Sequence, residues 1–262
     1  IIHLYIYFGI DIALAMLDGV FSFILIDQRL CNDSTRMYVA RDPFGVRPLY
    51  IMTENTGSLS RNIFGFASEL KSLKPIQTEL NKHYTYIRDE ALLENPKAKI
   101  NKIFKQYQIK QFTPGTCSVY KLPMGVSPYW KYVQQVRYHN FSFNNNIFAD
   151  IYDLDYILHN IKTEFQDAVY KRCNTTDRPI ACLVSGGLDS SLVAALVNEY
   201  HKNNNLPQLE TYSIGMEGSE DLKYAQQVAN YLGTNHTSIT VSEEDFVNAI
   251  PKVIYDIESY DT

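Results

Sequence analysis

The chain has 262 residues and a mass of 30.2 kDa, a length that favours two domains of ordinary size over a single core. Its 24 basic and 29 acidic residues give a net charge of −5 with no basic block, which argues against a nucleic-acid-binding protein. The four cysteines are scattered and form no Cys-x-x-Cys pair, which argues against zinc sites and disulfide frameworks and favours a reducing, cytoplasmic location.

The most apolar run, residues 19–26, is far too short for a bilayer span and predicts a buried strand. The apolar N-terminal segment lacks the basic flank and the small-residue cleavage site of a signal peptide. The chain starts with Ile1 rather than Met and stops at Thr262 without a closing element. We therefore expect a fragment cut at both ends.

The first half of the chain is rich in predicted strands. Runs of β-branched and aromatic residues predict strands over residues 20–26, 37–40, 48–52 and 63–67. A helix is predicted over residues 11–17, closed by Gly19. The poorly periodic segment 77–111 predicts a long surface excursion with one helix, and residues 140–150 predict a linker. A domain boundary is therefore expected at residues 149–150.

The second half alternates between helix and strand patterns. Apolar residues recur at helical spacing in four segments, 154–169, 192–200, 222–232 and 246–257. Between these segments lie three runs that predict strands, 180–184, 209–214 and 236–241. This order predicts a parallel, doubly wound sheet with right-handed crossovers, in which the strand over 180–184 is buried on both faces.

Local signals set the expected ends of two helices. Ser219 is placed to begin the helix over residues 222–232, and Gly233 to end it. Ser242 is placed to cap the last helix. Pro251 lies inside that last helix and is expected either to kink it or to start a new helical segment.

The loop Ser185-Gly186-Gly187-Leu188-Asp189-Ser190-Ser191 follows the first of these strands and opens a helix. Its glycines let the backbone approach a ligand closely, and the free N–H groups at a helix start attract an anion. The serine hydroxyls add further donors. Because ligands of such sheets bind beyond the carboxyl ends of the strands, the loop is predicted to bind phosphate or pyrophosphate.

Asp189 is the unusual member of this loop, since a carboxylate repels phosphates unless a cation intervenes. One interpretation is that Asp189 holds Mg²⁺ that bridges to the pyrophosphate. The other is that Asp189 only caps the following helix. The loop contains no Gly-Lys-Ser/Thr of a Walker A motif and no Gly-x-Gly-x-x-Gly dinucleotide fingerprint.

The loop resembles the PP-loop of the ATP pyrophosphatases, which cleave ATP between the α and β phosphates. The neighbouring sequence narrows this resemblance to the glutamine-hydrolysing asparagine synthetases, over nearly all of residues 154–262. The segments that carry it are residues 212–222, 231–236, 250–255 and 258–261.

The resemblance implies a reaction and a set of binding residues. ATP would activate aspartate as β-aspartyl-AMP, and ammonia would then yield asparagine, AMP and pyrophosphate. Backbone at Leu183 or Val184 and at Ile214 would contact adenine, and Asp189 would hold Mg²⁺. The remaining ATP contacts implied are Ser185, Gly186, Gly187, Ser190, Ser191 and Gly215.

The front half resembles the class II glutamine amidotransferase domain. The segments that carry this resemblance are residues 17–23, 41–50 and 66–69. Four charged residues here are expected to form a polar network that fixes the loop and the domain contacts, rather than to act in catalysis: Arg41, Asp42, Arg47 and Glu69.

Glutaminases of this family use an N-terminal cysteine whose own α-amine, with a pKa of about 8, serves as the base. This chain begins with Ile1, and Cys31, Cys117 and Cys182 are expected to be buried structural residues. The family's oxyanion-hole and glutamine-binding residues align before Ile1. No catalytic residue is therefore assigned, and this chain is expected to lack glutaminase activity.

The resemblance thus implies two partial domains of the α/β class. Residues 1–149 would form an amidotransferase αββα sandwich, and residues 150–262 a synthetase sheet. The implied partners are aspartate, glutamine or ammonia, ATP and Mg²⁺, without nucleic acid or membrane, and a homodimer is a further expectation. Two alternatives stay open: a related PP-loop synthetase, such as a β-lactam synthetase, and a catalytically silent nucleotide-binding protein.

Overall fold

The computed structural model describes residues 1–31, 34–55, 63–94, 106–123, 130–140 and 153–259. All but the first residue of the predicted linker lies outside these ranges. The chain divides into two compact units, Ile1–Asn146 and Ile147–Thr262. Both units combine helices with β-sheet, which confirms the α/β class.

The first unit contains two antiparallel sheets. The first has the order β1-β2-β6-β7, formed by Ser22–Cys31, Ser34–Arg41, Thr116–Pro123 and Lys131–Arg137. The second has the order β4-β3-β5, where β3 is Tyr50–Asn55, β4 is Ile63–Ala67 and β5 is Gln106–Gln111. The four strands predicted from the sequence in this unit are therefore present.

Apolar side chains from the two sheets meet in one core. Met37 and Val39 of β2 pack together with Phe112, which follows β5. Ile51 of β3 and Phe66 of β4 pack against this cluster from the second sheet. The alternation of inward and outward residues along each strand places these side chains between the sheets.

A helix covers the outer face of each sheet. Helix α1, Ile2–Met16, packs Leu14 against Tyr38 of the first sheet. Helix α2, Leu70–Glu94, lies against the second sheet, and its Leu73 is buried. The resulting layers, helix–sheet–sheet–helix, are those of the predicted sandwich.

Helix α1 differs from its prediction at both ends. It begins at Ile2 instead of residue 11 and is interrupted at Gly9, where φ is 78°. It ends at Met16, and Leu17 follows in an extended conformation, so Gly19 does not close it. The first ten residues are almost all apolar, so they show no amphipathic period that identifies a helix. No helix in the described part of the chain is both long and apolar enough to span a bilayer.

Helix α2 starts earlier than predicted. It begins at Leu70 and continues through Pro75, ahead of the predicted excursion over residues 77–111, which ends in strand β5. A proline lacks the N–H that a helix interior uses, so it obscures a helical pattern in sequence. Tertiary packing against the second sheet compensates for it here.

The second unit alternates helix and strand in the predicted order. Its elements are α3 Leu154–Asn174, β8 Ala181–Leu183, α4 Leu188–Asn203, β9 Glu210–Met216, α5 Glu220–Leu232, β10 Asn235–Val241 and α6 Glu243–Ile257. The strands lie in the order β10-β9-β8, and both pairs are parallel. The carboxyl ends of all three strands therefore meet at one edge of the sheet.

The helix ends predicted from local signals in this unit are confirmed. Ser219 is the N-cap residue of α5, and Gly233 is its C-cap residue, with φ of 68°. Ser242 Oγ accepts a hydrogen bond from the Asp245 N–H, and the Asp245 carboxylate accepts one from the Ser242 N–H. Helix α6 continues through Pro251 as one element, so the prediction that this proline starts a new helical segment is wrong, and the alternative of a kink stays a prediction.

The two faces of the parallel sheet differ in exposure. One face packs against the helices, where Val184, Ala194 and Ala225 form a buried cluster. On the other face, Leu183 is 81% exposed and Ile214 is 66% exposed. The prediction that the strand over residues 180–184 is buried on both faces is therefore wrong. A continuous apolar run shows that a strand is apolar, but not whether both of its faces are covered.

Candidate functional site

The loop over residues 185–191 joins the carboxyl end of β8 to α4. Gly187 is the N-cap residue of α4, so the helix begins at Leu188. Just before the loop, the Val184 N–H donates a 2.9 Å hydrogen bond to the Tyr212 carbonyl of β9. The free N–H groups of the helix start therefore lie at the edge of the sheet where ligands of such folds bind.

The two glycines of the loop differ in their surroundings. Gly186 has φ of 80°, and a Cβ there would lie 2.8 Å from the backbone nitrogen of Ala225 in α5. Gly187 has φ of −72°, and a Cβ there would meet only Ser185 Oγ, at 3.4 Å. Backbone conformation and packing thus require glycine at position 186, whereas the neighbouring atoms of the chain leave room for a side chain at position 187.

The three serine hydroxyls make different contacts. Ser185 Oγ and Ser190 Oγ lie 3.0 Å apart, and the Ser185 N–H donates to Ser190 Oγ at 3.3 Å. The Ser191 hydroxyl donates a 2.6 Å hydrogen bond to the Gly187 carbonyl. Ser191 therefore secures the first turn of α4 from inside the loop.

A cavity of about 380 Å³ lies beside the loop. Pockets for small molecules have volumes of this order, and they combine apolar walls with a few polar groups. The lining residues are Leu183, Val184, Ser185, Ser190, Tyr212, Ser213, Ile214, Asp221 and Ile239. This composition suits a ligand with an apolar, flat part and a polar, hydrogen-bonding part.

Half of the residues predicted to bind ATP line this cavity. They are Leu183, Val184, Ser185, Ser190 and Ile214. The predicted residues that do not line it are Gly186, Gly187, Asp189, Ser191 and Gly215. Sequence reasoning missed the lining residues Tyr212, Ser213, Asp221 and Ile239. Strand register is the signal that finds one of them, since Ile239 of β10 pairs with Ile214 of β9.

Gly215 has a packing role in this unit. A Cβ there would lie 2.8 Å from Ser219 Oγ and 3.0 Å from Leu222 Cγ. Glycine at this position therefore lets the start of α5 approach β9 closely. The contact of Gly215 with ATP stays a prediction.

Asp189 lies in the first turn of α4 and is exposed. Because Gly187 is the N-cap residue, the interpretation of Asp189 as the helix cap is wrong. Among the described residues its carboxylate has no hydrogen-bond or ion-pair partner, so both oxygens are available to a cation. Mg²⁺ commonly takes one or two protein carboxylates and completes its shell with phosphates and water, so this donor fits the ion.

A metal ion can also be held by protein side chains alone, without oxygens from a ligand. Within the ranges that the structure describes, no group of three or more His, Cys, Asp or Glu side chains could hold a metal ion. A cation at Asp189 would therefore depend on oxygens of a ligand such as ATP.

In the first unit, Arg41 organises the turn that follows β2. Its side chain is 5% exposed and donates hydrogen bonds to three backbone carbonyls. The acceptors are Gly45 at 2.7 Å, Arg47 at 2.8 Å and Phe112 at 2.7 Å. The planar guanidinium satisfies this arrangement because it presents several donors in a fixed geometry.

Asp42 complements Arg41 from the same turn and is 1% exposed. Its carboxylate accepts hydrogen bonds from the N–H groups of Phe44, Val46 and Arg47, at 3.0–3.1 Å. Burial alone would raise the pKa of Asp42. The hydrogen bonds from these backbone N–H groups lower the pKa by more than burial raises it, so the pKa lies below its ordinary value. The carboxylate is therefore held charged as a structural acceptor.

The predicted polar network of the first unit is confirmed for Arg41 and Asp42. Arg47 contributes its backbone N–H and carbonyl to it. Glu69 forms an ion pair with Lys71, with 3.6 Å between nitrogen and oxygen. Arg41, Asp42 and the backbone of Arg47 thus shape the turn after β2, whereas the contact described for Glu69 lies outside this network.

The cysteine thiols described in the structure are poor nucleophiles. Burial raises the pKa of Cys117 to about 12, and it also raises the pKa of Cys173 and of Cys182. A protonated thiol reacts slowly, because the thiolate is the reactive form. The prediction of a buried structural cysteine is confirmed for Cys117, whereas Cys182 is half-buried. The side chain of Cys31 lies outside the described residues.

Comparison with known proteins finds a matching family model for each unit. Residues 160–262 match the family model of asparagine synthase, and residues 1–130 match the model of the glutamine amidotransferase domain. The chain is therefore similar to asparagine synthases in its second unit and to glutamine amidotransferase domains in its first unit. The order of these two matches along the chain is the order of the sandwich and the parallel sheet.

Curated relatives named glutamine-hydrolysing asparagine synthetase align with the whole of this chain. The protein of Mus musculus is 35% identical, and that of Homo sapiens is 31% identical, each over 100% of this chain and 42% of its own length. The chain therefore spans about two fifths of the length of these relatives. A solved structure of an NH3-dependent NAD synthetase from Campylobacter jejuni matches 40% of this chain and 42% of the synthetase chain, at 19% identity. Its TM-score of 0.29 is too low to support an argument.

Proposed function

We propose that this chain is part of an enzyme that makes asparagine from aspartate, with ATP as the energy source and glutamine as the source of ammonia. The observation that carries the proposal is the cavity of about 380 Å³ beside the loop over residues 185–191. It lies at the carboxyl edge of a parallel sheet, in the unit whose sequence matches asparagine synthase.

The lining of the cavity suits an adenine nucleotide. Leu183, Ile214 and Ile239 supply apolar surface for a flat base. Ser185 and Ser190 supply hydroxyl donors for phosphate oxygens. The free N–H groups and the positive dipole end at the start of α4 favour a negatively charged group nearby. We therefore assign adenine to the apolar wall and the pyrophosphate to the loop.

The loop residues would act by binding and orienting ATP. Hydroxyls of Ser185 and Ser190 and N–H groups of the helix start would donate hydrogen bonds to the pyrophosphate, which leaves when the aspartate carboxylate attacks the α phosphate. Asp189 would hold Mg²⁺, which neutralises phosphate charge when bound. Close packing of Gly186 on α5 would keep these donors fixed in position.

Glutamine hydrolysis is assigned to the first unit, whose sequence matches the glutamine amidotransferase domain. The raised pKa values of Cys117, Cys173 and Cys182 argue against these thiols as the nucleophile. The Arg41–Asp42 turn would support that domain structurally. A homodimer and a cytoplasmic location stay predictions.

The test uses the whole gene product and its Asp189→Asn variant. We expect the variant to lose pyrophosphate release from ATP and aspartate, because the carboxylate for Mg²⁺ is gone. We expect it to keep glutamine hydrolysis, measured as glutamate release, because the two activities belong to separate units. Loss of both activities in a folded variant would contradict the assignment to separate sites.

The wild-type protein distinguishes the alternatives in the same assays. Pyrophosphate release that needs a carboxylic acid other than aspartate would identify a related PP-loop synthetase. ATP binding without pyrophosphate release from any carboxylic acid would identify a silent nucleotide-binding protein.

A further inference from the structure

We propose that Asp221 is a second carboxylate ligand of the Mg²⁺ that accompanies ATP, so that helix α5 forms part of the nucleotide site. This inference rests on the proposed function. It starts from the cavity, whose lining includes Asp221 together with the loop hydroxyls of Ser185 and Ser190. Asp221 is the carboxylate among those lining residues.

The contact between the loop and α5 places Asp221 close to the phosphate end of the cavity. Gly186 of the loop lies against Tyr224 and Ala225 in α5. Residues four apart share a helix face, so Asp221 lies on the face of Ala225 that meets the loop, one turn nearer the helix start. One helical turn is roughly 5 Å, so Asp221 lies within about one turn of the point where α5 meets the loop.

The electrostatics of this position call for a cation. Asp221 is exposed, and within the described residues its carboxylate has no hydrogen-bond or ion-pair partner. A lone carboxylate beside a phosphate-binding loop repels ATP. With Mg²⁺ present the same carboxylate becomes favourable, because this ion prefers oxygen ligands and uses one or two carboxylates with phosphates. Asp189 and Asp221 each lie in the first turn of a helix that begins at this edge of the sheet, and the proposal requires both carboxylates to reach one ion.

Glu220 offers a matched control for a purely structural role of Asp221, because both residues lie in the first turn of α5. Acidic residues in the first turn stabilise a helix through its dipole, and α5 carries two there, Glu220 and Asp221. Asp221 lines the cavity, and Glu220 is not among the lining residues. Glu220→Gln therefore removes the same charge from the same helix end without removing the proposed ligand.

The experiment measures ATP affinity by calorimetry at increasing MgCl₂ concentration, for the wild-type chain, Asp221→Asn and Glu220→Gln. We expect Asp221→Asn to need about ten-fold more Mg²⁺, or more, to reach a given ATP affinity. Without Mg²⁺ we expect Asp221→Asn to bind ATP at least as tightly as the wild type, because a repulsive charge is gone. Glu220→Gln should follow the wild type in its Mg²⁺ dependence.

Three results would overturn the inference. The first is a wild-type Mg²⁺ dependence in Asp221→Asn. The second is equal weakening of ATP binding with and without Mg²⁺, which would indicate a bond from Asp221 to the ribose hydroxyls. The third is the same shift in Glu220→Gln, which would indicate a helix-dipole effect. Circular dichroism verifies that each variant is folded. Failure of the folded wild type to bind ATP would instead overturn the proposed function, and the inference with it.

Discussion

The backbone nitrogen of Ala225 lies so close to Gly186 that a Cβ on this glycine would stand 2.8 Å from it. The loop over residues 185–191 and helix α5 therefore meet through backbone atoms and the Cβ of Tyr224, which cannot move aside as the end of a flexible side chain can. A change that separates the loop from α5 is expected to move the hydroxyls of Ser185 and Ser190, which line the cavity.

Because of this contact, substitutions at Gly186 and Gly187 are expected to have different effects. Gly186→Ala should lower the free energy of unfolding by about 1–3 kcal/mol, because it combines a left-handed φ with a backbone clash. Gly187→Ala should change that free energy by only about 0.5 kcal/mol, but it should weaken ATP binding by placing a methyl group at the helix start. Urea unfolding and ATP calorimetry measure the two effects. Similar stability losses in both variants would contradict the packing argument.

Arg41 gives a second prediction, in the first unit. Arg41→Lys should lower the free energy of unfolding by about 2–4 kcal/mol, because one ammonium group cannot reach three carbonyls and leaves buried acceptors unpaired. The matched control is Arg47→Lys at an exposed position, which should cost less than about 0.5 kcal/mol. The measurement is chemical unfolding followed by far-UV circular dichroism. Equal costs at the two positions would show that the carbonyl contacts of Arg41 contribute little.

Asp42 predicts how the stability of the first unit responds to acid. Its pKa is lowered in the folded state, so its contribution is complete above the ordinary pKa of about 3.9 and is lost as pH falls through the folded value. Asp42→Asn should therefore be less stable than the wild type at neutral pH, and its stability should fall less between about pH 5 and pH 2. Unfolding midpoints in urea across this range measure the difference. Parallel pH profiles for the two proteins would contradict the prediction.

His236 predicts a pH dependence for the second unit at milder acidity. Burial lowers its pKa, and its two ring nitrogens contact Thr211 Oγ at 2.9 Å and Ser213 Oγ at 3.1 Å. The stabilisation is therefore complete above the unfolded pKa of about 6.5 and is lost as pH falls through that value toward the folded one. Unfolding of the wild type and of His236→Gln between about pH 7.5 and pH 5 measures this loss. An equally steep decline in the stability of the variant would show that the loss does not arise from His236.

Sequence patterns predicted the parts of the second unit that depend on local chemistry. Helix α5 begins and ends at Ser219 and Gly233 as expected, because a cap residue and a left-handed glycine act on their immediate neighbours. The alternation of helix and strand also indicated the parallel sheet, since crossovers of this kind follow from element order alone. Both are properties of short stretches of chain.

The features that sequence reasoning missed depend on residues far apart in the chain. Arg41 donates to the carbonyl of Phe112, and no local pattern connects these positions. Among the described strands β8 lies at the edge of its sheet, and Leu183 lies on the face opposite the helices, which an apolar run does not encode. Asp221 reaches the cavity because α5 packs against the loop at Gly186, and only the fold brings them together.

Each of the two units consists of one uninterrupted stretch of chain, Ile1–Asn146 and Ile147–Thr262. During synthesis, every described strand of the sandwich is therefore translated before the loop over residues 185–191. The sandwich can complete its two sheets without waiting for residues made later, in agreement with the general tendency of domains to fold as units from the N-terminal side.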